Sequence, residues 1–365
     1  MRIILSYPSE YDKGEGIHYS RVLQRLGHDV CEVNVAATPL TVGSPGRTIK
    51  GYPPEVELEE LIDEFGNVDL FLYIEPWSLI PRGLERSPIP TACILSDVHR
   101  NLKARQTLAR LFDYVFVRQL DYMTKFSEHG EGAAHWHPWY CDAKFFTDLG
   151  LNRDLDIACV SQLYGRRNPR MQALATLSER HRVNEQRYYL QKEIPEIYSR
   201  AKIVLNIPVS HELNPRFFEA ILCGALLLTE RIGNGQEDLL TENVHYVAFG
   251  SEEEMYEKVE FYLRNDEERK RIARAGHQEV VAHHNLAHGV ETLLRKINGK
   301  GILSAPVRKM KRDEVVGLYA AVYERSGRVD MLLRLSAEQK PYSMARFRTL
   351  GMGFKSFLRR AVLNW

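Results

Sequence analysis

Residues 203–230 read IVLNIPVSHELNPRFFEAILCGALLLTE, and the reading of this stretch decides the fold. Ile203 to Ile207 is a short run rich in β-branched residues and closed by a proline, the pattern of a strand covered on both faces. Pro208 to Asn214 cannot continue it. Pro215 suits the first position of a helix, with Asn214 as its N-cap. Gly224 stops that helix, and Ala225 to Thr229 resumes an apolar strand. In an open parallel sheet, ligands bind at the carboxyl ends of the strands, where helix N-termini point. Asn214, Arg216 and Glu219 belong to such an end. An arginine beside free N–H groups suits phosphate, and a carboxylate one turn on accepts hydrogen bonds from a ribose diol. On spacing alone a plain capped crossover fits equally well, with Arg216 paired to a surface carboxylate and Glu219 in solvent.

Outward from this stretch the same alternation recurs. Arg2–Tyr7, His28–Val35, Asp69–Ile74, Thr91–Leu95, Tyr114–Val117 and Ala133–Trp136 read as strands, with amphipathic helical segments between several of them. Thr38–Pro54 reads as a long loop and Gln119–Glu128 as a helix. After the polar break Leu149–Arg153 the pattern restarts at Leu155–Val160, passes through the opening stretch and continues to Ile297. Strand and helix in alternation predict parallel sheets with helices on both faces. The expected organisation is α/β: a Rossmann-like domain over 1–150 and a second over 151–298, both doubly wound and facing across a cleft. A helical, basic C-terminal extension covers 299–365, with a hairpin at Asp313–Tyr323 and Arg328–Leu335.

A net charge of +1 gives no global attraction to nucleic acid or membrane. Residues 344–365 hold five basic residues and no acid, which leaves the remainder at −4. The tail fits an interfacial membrane helix, or a C-terminal helix docked on the protein itself, and glycines 351 and 353 weaken a long helix. Because the rest is acidic and its basic residues form no stripe, no nucleic-acid partner is expected. Five cysteines without a C-x-x-C read as reduced core residues. The N-terminus starts directly as a strand without a signal peptide's apolar core, and no apolar run is long enough to span a membrane. The expected location is cytoplasmic, peripheral to the inner face of the membrane if the tail is interfacial.

Four further constellations carry chemistry. Gly165-Arg166-Arg167 follows the strand at Leu155 and fits a phosphate-contacting loop or a solvated one. Gly14-Glu15-Gly16 with His18 lacks the third glycine of a dinucleotide fingerprint, so it reads as a cleft loop with His18 near an acceptor, or as a turn. Asp97 and His99 follow a strand and fit a general base, or a helix cap beside a surface histidine. His135 and His137 have no third ligand at useful spacing, and no D-x-D stands as a metal site, so no metal is expected.

Asn214-Pro215-Arg216-Phe217-Phe218-Glu219-Ala220, followed by Cys223-Gly224 and Ala225 to Thr229, resembles the C-terminal half of GT-B glycosyltransferases. It looks closest to the CgeB-like group among the group 1 glycosyl transferases. Asp156 to Val160 with Arg166-Arg167, the helix Ser251–Leu263, and Asn265, Glu268, Arg269, Ile272, Ala273, Gly276 and His284 extend the resemblance over about 155–295. It thins in the first half and is absent beyond 300. The resemblance implies a glycosyltransferase that moves a sugar from a nucleotide-diphosphate sugar to an acceptor hydroxyl, without a cofactor. The acceptor class, whether glycan, lipid-linked, protein or small molecule, stays open. Carried over, Glu219 holds the ribose and Arg216 the diphosphate, with Arg166 or Arg167 assisting. Where related enzymes place a glutamate eight residues before the ribose glutamate, this chain has His211. Asp97, His99 or His18 is the base if the reaction inverts, and none is required if it retains. The rivals are a non-catalytic nucleotide-sugar-binding scaffold of the same fold, and a nucleotide-sugar epimerase or hydrolase.

Overall fold

Short apolar runs separated by amphipathic segments bury best as strands with helices laid over both faces, and they form two parallel sheets here. The structure, a computed structural model, describes residues 1–8, 14–35, 50–53, 55–76, 80–126, 134–161, 169–208, 210–299, 310–325, 328–339 and 348–353. The chain divides into a unit of Met1–His137 with Leu293–Trp365 and a unit of Pro138–Thr292. The sequence reading set its boundaries at 150/151 and 298/299.

The first unit contains β1 (Arg2–Ser6), α1 (Gly16–Arg25), β2 (Asp29–Val35), β3 (Lys50–Tyr52), α2 (Leu58–Phe65) and β4 (Leu70–Ile74). β5 (Thr91–Leu95), α3 (Leu102–Ala109), β6 (Tyr114–Val117) and β7 (His135–Trp136) follow. The sheet order is β3-β2-β1-β4-β5-β6-β7, with every pairing parallel, so the chain winds outward from β1 in both directions. β3 was not expected; it is a three-residue edge strand inside the predicted loop Thr38–Pro54. Residues 120–126 form a 3-10 helix, tighter than the α-helix predicted from 119. One face of the sheet packs Ile4, Phe71, Tyr73, Cys93, Leu95, Val115 and Val117 into a single apolar cluster.

That cluster is completed from far along the chain. α11 (Arg312–Arg325) and α12 (Val329–Ala337) bring Val316, Tyr319, Tyr323, Met331 and Leu332 into it. The Tyr319 hydroxyl accepts from Leu84 N–H at 3.2 Å and faces Glu85 Oε2 at 3.1 Å. Arg82 grips Glu338 through both terminal nitrogens at 2.7 and 2.6 Å. The hairpin is thus an integral layer of the first unit. Of the basic tail, only 348–353 belongs to the described residues, so its two readings lie outside them. No described helix is long and apolar enough to cross a membrane.

The second sheet contains β8 (Leu155–Ala158), β9 (Ala201–Asn206), β10 (Leu226–Glu230) and β11 (Val247–Phe249), ordered β11-β10-β9-β8 and parallel throughout. Strand alternation divides its side chains cleanly. Ile157, Ile203, Leu205, Leu226 and Leu228 face one cluster; Ala158, Val204, Leu227 and Ala248 face the other. The first cluster includes residues of α4 (Pro169–Ser178), α8 (Glu252–Arg264) and α9 (Asp266–His283). The second takes in α5 (Ile194–Arg200) and α6 (Arg216–Leu222). α7 (Gln236–Leu239) and α10 (Leu286–Ile297) complete the helices of this stretch. Gly276 is required inside α9, because a Cβ there would lie 2.2 Å from the carbonyl oxygen of His245. Gly224 ends α6 at φ +73°, where a Cβ would also meet the Asp148 carboxylate at 2.4 Å.

All five cysteines are free, and burial raises the thiols of Cys93, Cys159 and Cys223. Raised thiols are poor nucleophiles, which agrees with their reading as core residues.

Candidate functional site

Where β8 and β9 end side by side, each strand is followed by an Asn-Pro-Arg: Asn168-Pro169-Arg170 and Asn214-Pro215-Arg216. The two arginines reach past one another. Arg170, in the first turn of α4, donates through Nε to the carbonyl of Ile207, just past the end of β9. Arg216, at the start of α6, donates through Nη1 to the carbonyl of Val160, beyond the end of β8, at 3.2 Å. Each guanidinium is therefore held by the neighbouring strand's end, and the two cations stand close together. Arg170 is buried, and its burial together with the charge of Arg216 pushes its pKa down to about 10. An anion placed between two such cations relieves both their repulsion and their desolvation.

Asn206, the last residue of β9, organises the second arginine. Its Oδ1 accepts from Arg216 Nε at 2.9 Å and from Asn214 Nδ2 at 3.1 Å, while its Nδ2 donates to Thr229 Oγ1 on β10 at 3.1 Å. Among the described residues, Arg216 has only the Asn206 amide and the Val160 carbonyl as partners, and no carboxylate. Its charge is held in place without being neutralised.

Asn214 is not the side-chain N-cap expected from sequence. Its carbonyl opens the first turn by accepting from Phe217 N–H, but its side chain turns inward to Asn206 and its Oδ1 is buried without a partner. The amide contact inside the sheet edge wins over the backbone cap. α6 itself has only seven residues, so the arginines rather than a helix dipole carry the positive potential. Glu219 lies one turn into α6 and is buried. Its charge, with burial the larger cause, raises the hydroxyl of buried Tyr198 well above the ordinary tyrosine range.

His211 is exposed, in the left-handed region at φ +47°, and its carbonyl accepts from Asn234 Nδ2 at 3.1 Å. Arg166 and Arg167 lie outside the described residues. Asp154-Leu155-Asp156, the D-x-D of this chain, is at the amino end of β8, where Arg200 and Lys202 pair with the two acids at 2.7 Å. That is the end of the strand opposite to the arginines.

In the first unit the candidate residues occupy successive carboxyl ends of strands. Asp97 follows β5 in the left-handed region at φ +47°, with Oδ2 3.4 Å from Arg100 Nε, and His99 is half-buried in the 3-10 turn that follows. His18 is buried on α1. Glu75, which the sequence reading did not single out, follows β4 at φ +53°. Its Oε1 accepts from Ser96 N–H at 2.5 Å, and Arg105 Nη2 lies 3.3 Å from its Oε2. Burial raises its carboxyl above the usual range, and the charges of Glu15 and Asp97 add to that, against Arg105 and Ser96. Two neighbouring acids in a conformation rarely adopted by non-glycine residues are a feature of functional edges. Beside them, buried Arg118 pairs with Glu15 and donates to the Tyr19 hydroxyl at 3.1 Å, which lies 2.8 Å from His137 Nε2. Burial, and then Arg118, hold the His137 pKa well below the ordinary value.

The residues missed from sequence are thus Arg170, Asn206 and Glu75. The repeated Asn-Pro-Arg was the available signal for Arg170, but it becomes meaningful only once β8 and β9 are known to be neighbours.

Against known proteins, residues 144–295 match the family model described as glycosyl transferase-like. No curated protein matches the chain in sequence. Among solved structures, HepE of Anabaena, in complex with UDP and glucose, is similar at 14% identity and TM-score 0.59, covering 82% of this chain and 100% of that one. Sucrose-phosphate synthase of Thermosynechococcus elongatus is similar at 12% identity and TM-score 0.55, covering 82% and 100%. An alpha-glucosyltransferase in complex with UDP-glucose and DNA containing an abasic site is similar at 11% identity and TM-score 0.60, covering 82% and 99%. At these identities the structural likeness is one of fold. None of these findings singles out the CgeB-like group.

Proposed function

We propose a glycosyltransferase reaction and its donor for a chain that has the GT-B fold and matches the glycosyl transferase-like family over residues 144–295. The donor is a sugar linked to a nucleoside diphosphate, and the reaction is transfer of that sugar to an acceptor hydroxyl. The observation that carries this reading is the crossed pair Arg170 and Arg216 at the adjoining ends of β8 and β9.

As the bond from the anomeric carbon to the diphosphate breaks, negative charge gathers on the leaving oxygens. Two guanidiniums already fixed by backbone carbonyls stabilise that charge without reorganising. Glu219 accepts from the ribose hydroxyls and so places the diphosphate against the arginines. Arg170 takes the assisting role expected of Arg166 or Arg167, which stand four and three residues before it. With the charge supplied by arginine, the reaction proceeds without a metal or cofactor. Asp97, His99 and His18 remain the proposed bases of an inverting reaction; a retaining one needs none.

A thermal-shift series with UDP, GDP, ADP and dTDP tests the donor, because a ligand that binds only the native state raises the melting temperature. At 100 times its Kd a diphosphate adds about 2.7 kcal/mol, a rise of several degrees. The expected result is a rise with at least one diphosphate and a smaller one with the matching monophosphate. No rise with any of the four, at millimolar concentration, would remove the donor reading. The epimerase or hydrolase alternative predicts turnover of the donor with no acceptor present, and the scaffold alternative predicts binding without turnover.

A further inference from the structure

We infer that Asn206 is the positioning residue of the diphosphate subsite, and that its being an amide rather than a carboxylate keeps the Arg216 charge available to a ligand. The inference rests on the donor reading above. Asn206 is 1% exposed, at the last position of β9, in register with Thr229 of β10. Its amide orientation is unambiguous. Arginine has no acceptor, so the atom facing Arg216 Nε at 2.9 Å is Oδ1. The same oxygen takes Asn214 Nδ2 at 3.1 Å, and Nδ2 is left to donate to Thr229 Oγ1 at 3.1 Å. One side chain thus ties β9 to β10, aligns the segment that starts α6 and fixes the guanidinium.

A carboxylate in the place of the Asn206 amide would give the half-buried Arg216 stronger hydrogen bonds. An aspartate at 206 would satisfy both donors that Asn206 satisfies, and Thr229 could turn its hydroxyl to donate to it. It would also place a fixed negative charge within hydrogen-bond distance of Arg216 and close to any bound diphosphate. The geometry of the site is therefore compatible with either residue, and only the electrostatics differ. The neutral tether orients Arg216 and leaves its charge to an anion.

Two variants separate this role from a merely structural one. Asn206→Asp keeps the tether and adds the charge. Asn206→Leu keeps the branching at Cγ and removes the tether. Binding is measured by calorimetry for the diphosphate that stabilises the wild type most, and for the corresponding nucleoside as a probe without phosphate. Asn206→Asp is expected to melt within a few degrees of wild type and to bind the diphosphate about tenfold or more weakly, through like-charge opposition, with nucleoside affinity unchanged. Asn206→Leu is expected to melt lower, because Arg216 and Asn214 lose their shared acceptor. Wild-type affinity for the diphosphate in Asn206→Asp overturns the inference and leaves the donor site standing. Equal losses for nucleoside and diphosphate also overturn it, since they indicate a distorted pocket. A wild type that binds no diphosphate overturns the donor reading and this inference with it.

Discussion

Replacing Arg216 by methionine removes the guanidinium and keeps most of the apolar stem, and its cost follows from the two contacts that hold it. In the native protein the Nε and Nη1 bonds, at 2.9 and 3.2 Å, go to Asn206 and Val160. Among the described residues Nη2 makes no hydrogen bond, and the delocalised charge has no carboxylate partner. Hydrogen bonds to charged groups contribute about 1.5–3 kcal/mol. Their loss from a bound diphosphate therefore corresponds to a Kd raised roughly 10- to 150-fold. The stability cost is of similar size. Two neutral-acceptor bonds contribute about 1 kcal/mol net each, and Asn206 Oδ1 keeps its Asn214 donor. For a unit of this size the melting temperature then falls by about 4–8 °C. Calorimetric titration of the folded variant with UDP, or whichever diphosphate stabilises the wild type most, reads the affinity directly. Arg170→Met is expected to weaken binding similarly. Arg264→Met, which removes a guanidinium that is 78% exposed, serves as the control and should leave affinity unchanged. If folded Arg216→Met binds within a factor of two of wild type, the crossed arginines are not a diphosphate site.

Two further outcomes test the fold around the candidate residues. His137 is held neutral by burial and Arg118, so its folded pKa lies below the unfolded value of about 6.5. Below that pH the unfolded chain binds a proton that the folded chain excludes. The stability of the first unit should then fall with acidification, by up to about 1.4 kcal/mol per pH unit, and urea titrations at pH 5.5 and 7.5 would show this. The same comparison in His137→Gln should lack that component, and an unchanged slope would refute the assignment. Gly276→Ala forces a Cβ against the His245 carbonyl inside a packed helix. It should destabilise the second unit by about 1–3 kcal/mol, visible as a lower melting temperature, and a neutral effect would show that α9 and the turn at His245 do not pack as described.

The alternation of strands and helices was legible because these strands are buried on both faces, and continuous apolar runs such as Ile203–Leu205 have few other uses. Arg216 was legible for a different reason: it directly follows Pro215 and opens the helix that comes after a buried strand, which leaves it little freedom of placement. Arg170 was not, since an arginine in the first turn of a helix usually faces water, and its burial depends on an adjacency of β8 and β9 that a linear reading does not contain. Asn214 was misread because local capping chemistry competes with a partner eight residues earlier, and only the folded sheet edge decides between them. β3 was missed because Lys50-Gly51-Tyr52 carries no apolar run; it is a strand by virtue of pairing with β2. The left-handed backbone at Glu75 and Asp97 was not legible, as neither residue is the glycine that usually marks this conformation.

The layer supplied by α11 and α12 has a consequence for how this protein is made. The first unit is written in two instalments, separated by the whole of residues 138–292. During synthesis the sheet that begins at Arg2 must wait, with Phe71, Cys93 and Leu95 lacking part of their cover, until Tyr319 and Leu332 have left the ribosome. The second unit has all its residues in hand well before that moment. The half of the molecule translated first is therefore finished last, and a chain interrupted after residue 299 would release a complete second unit joined to a first unit with an open apolar face.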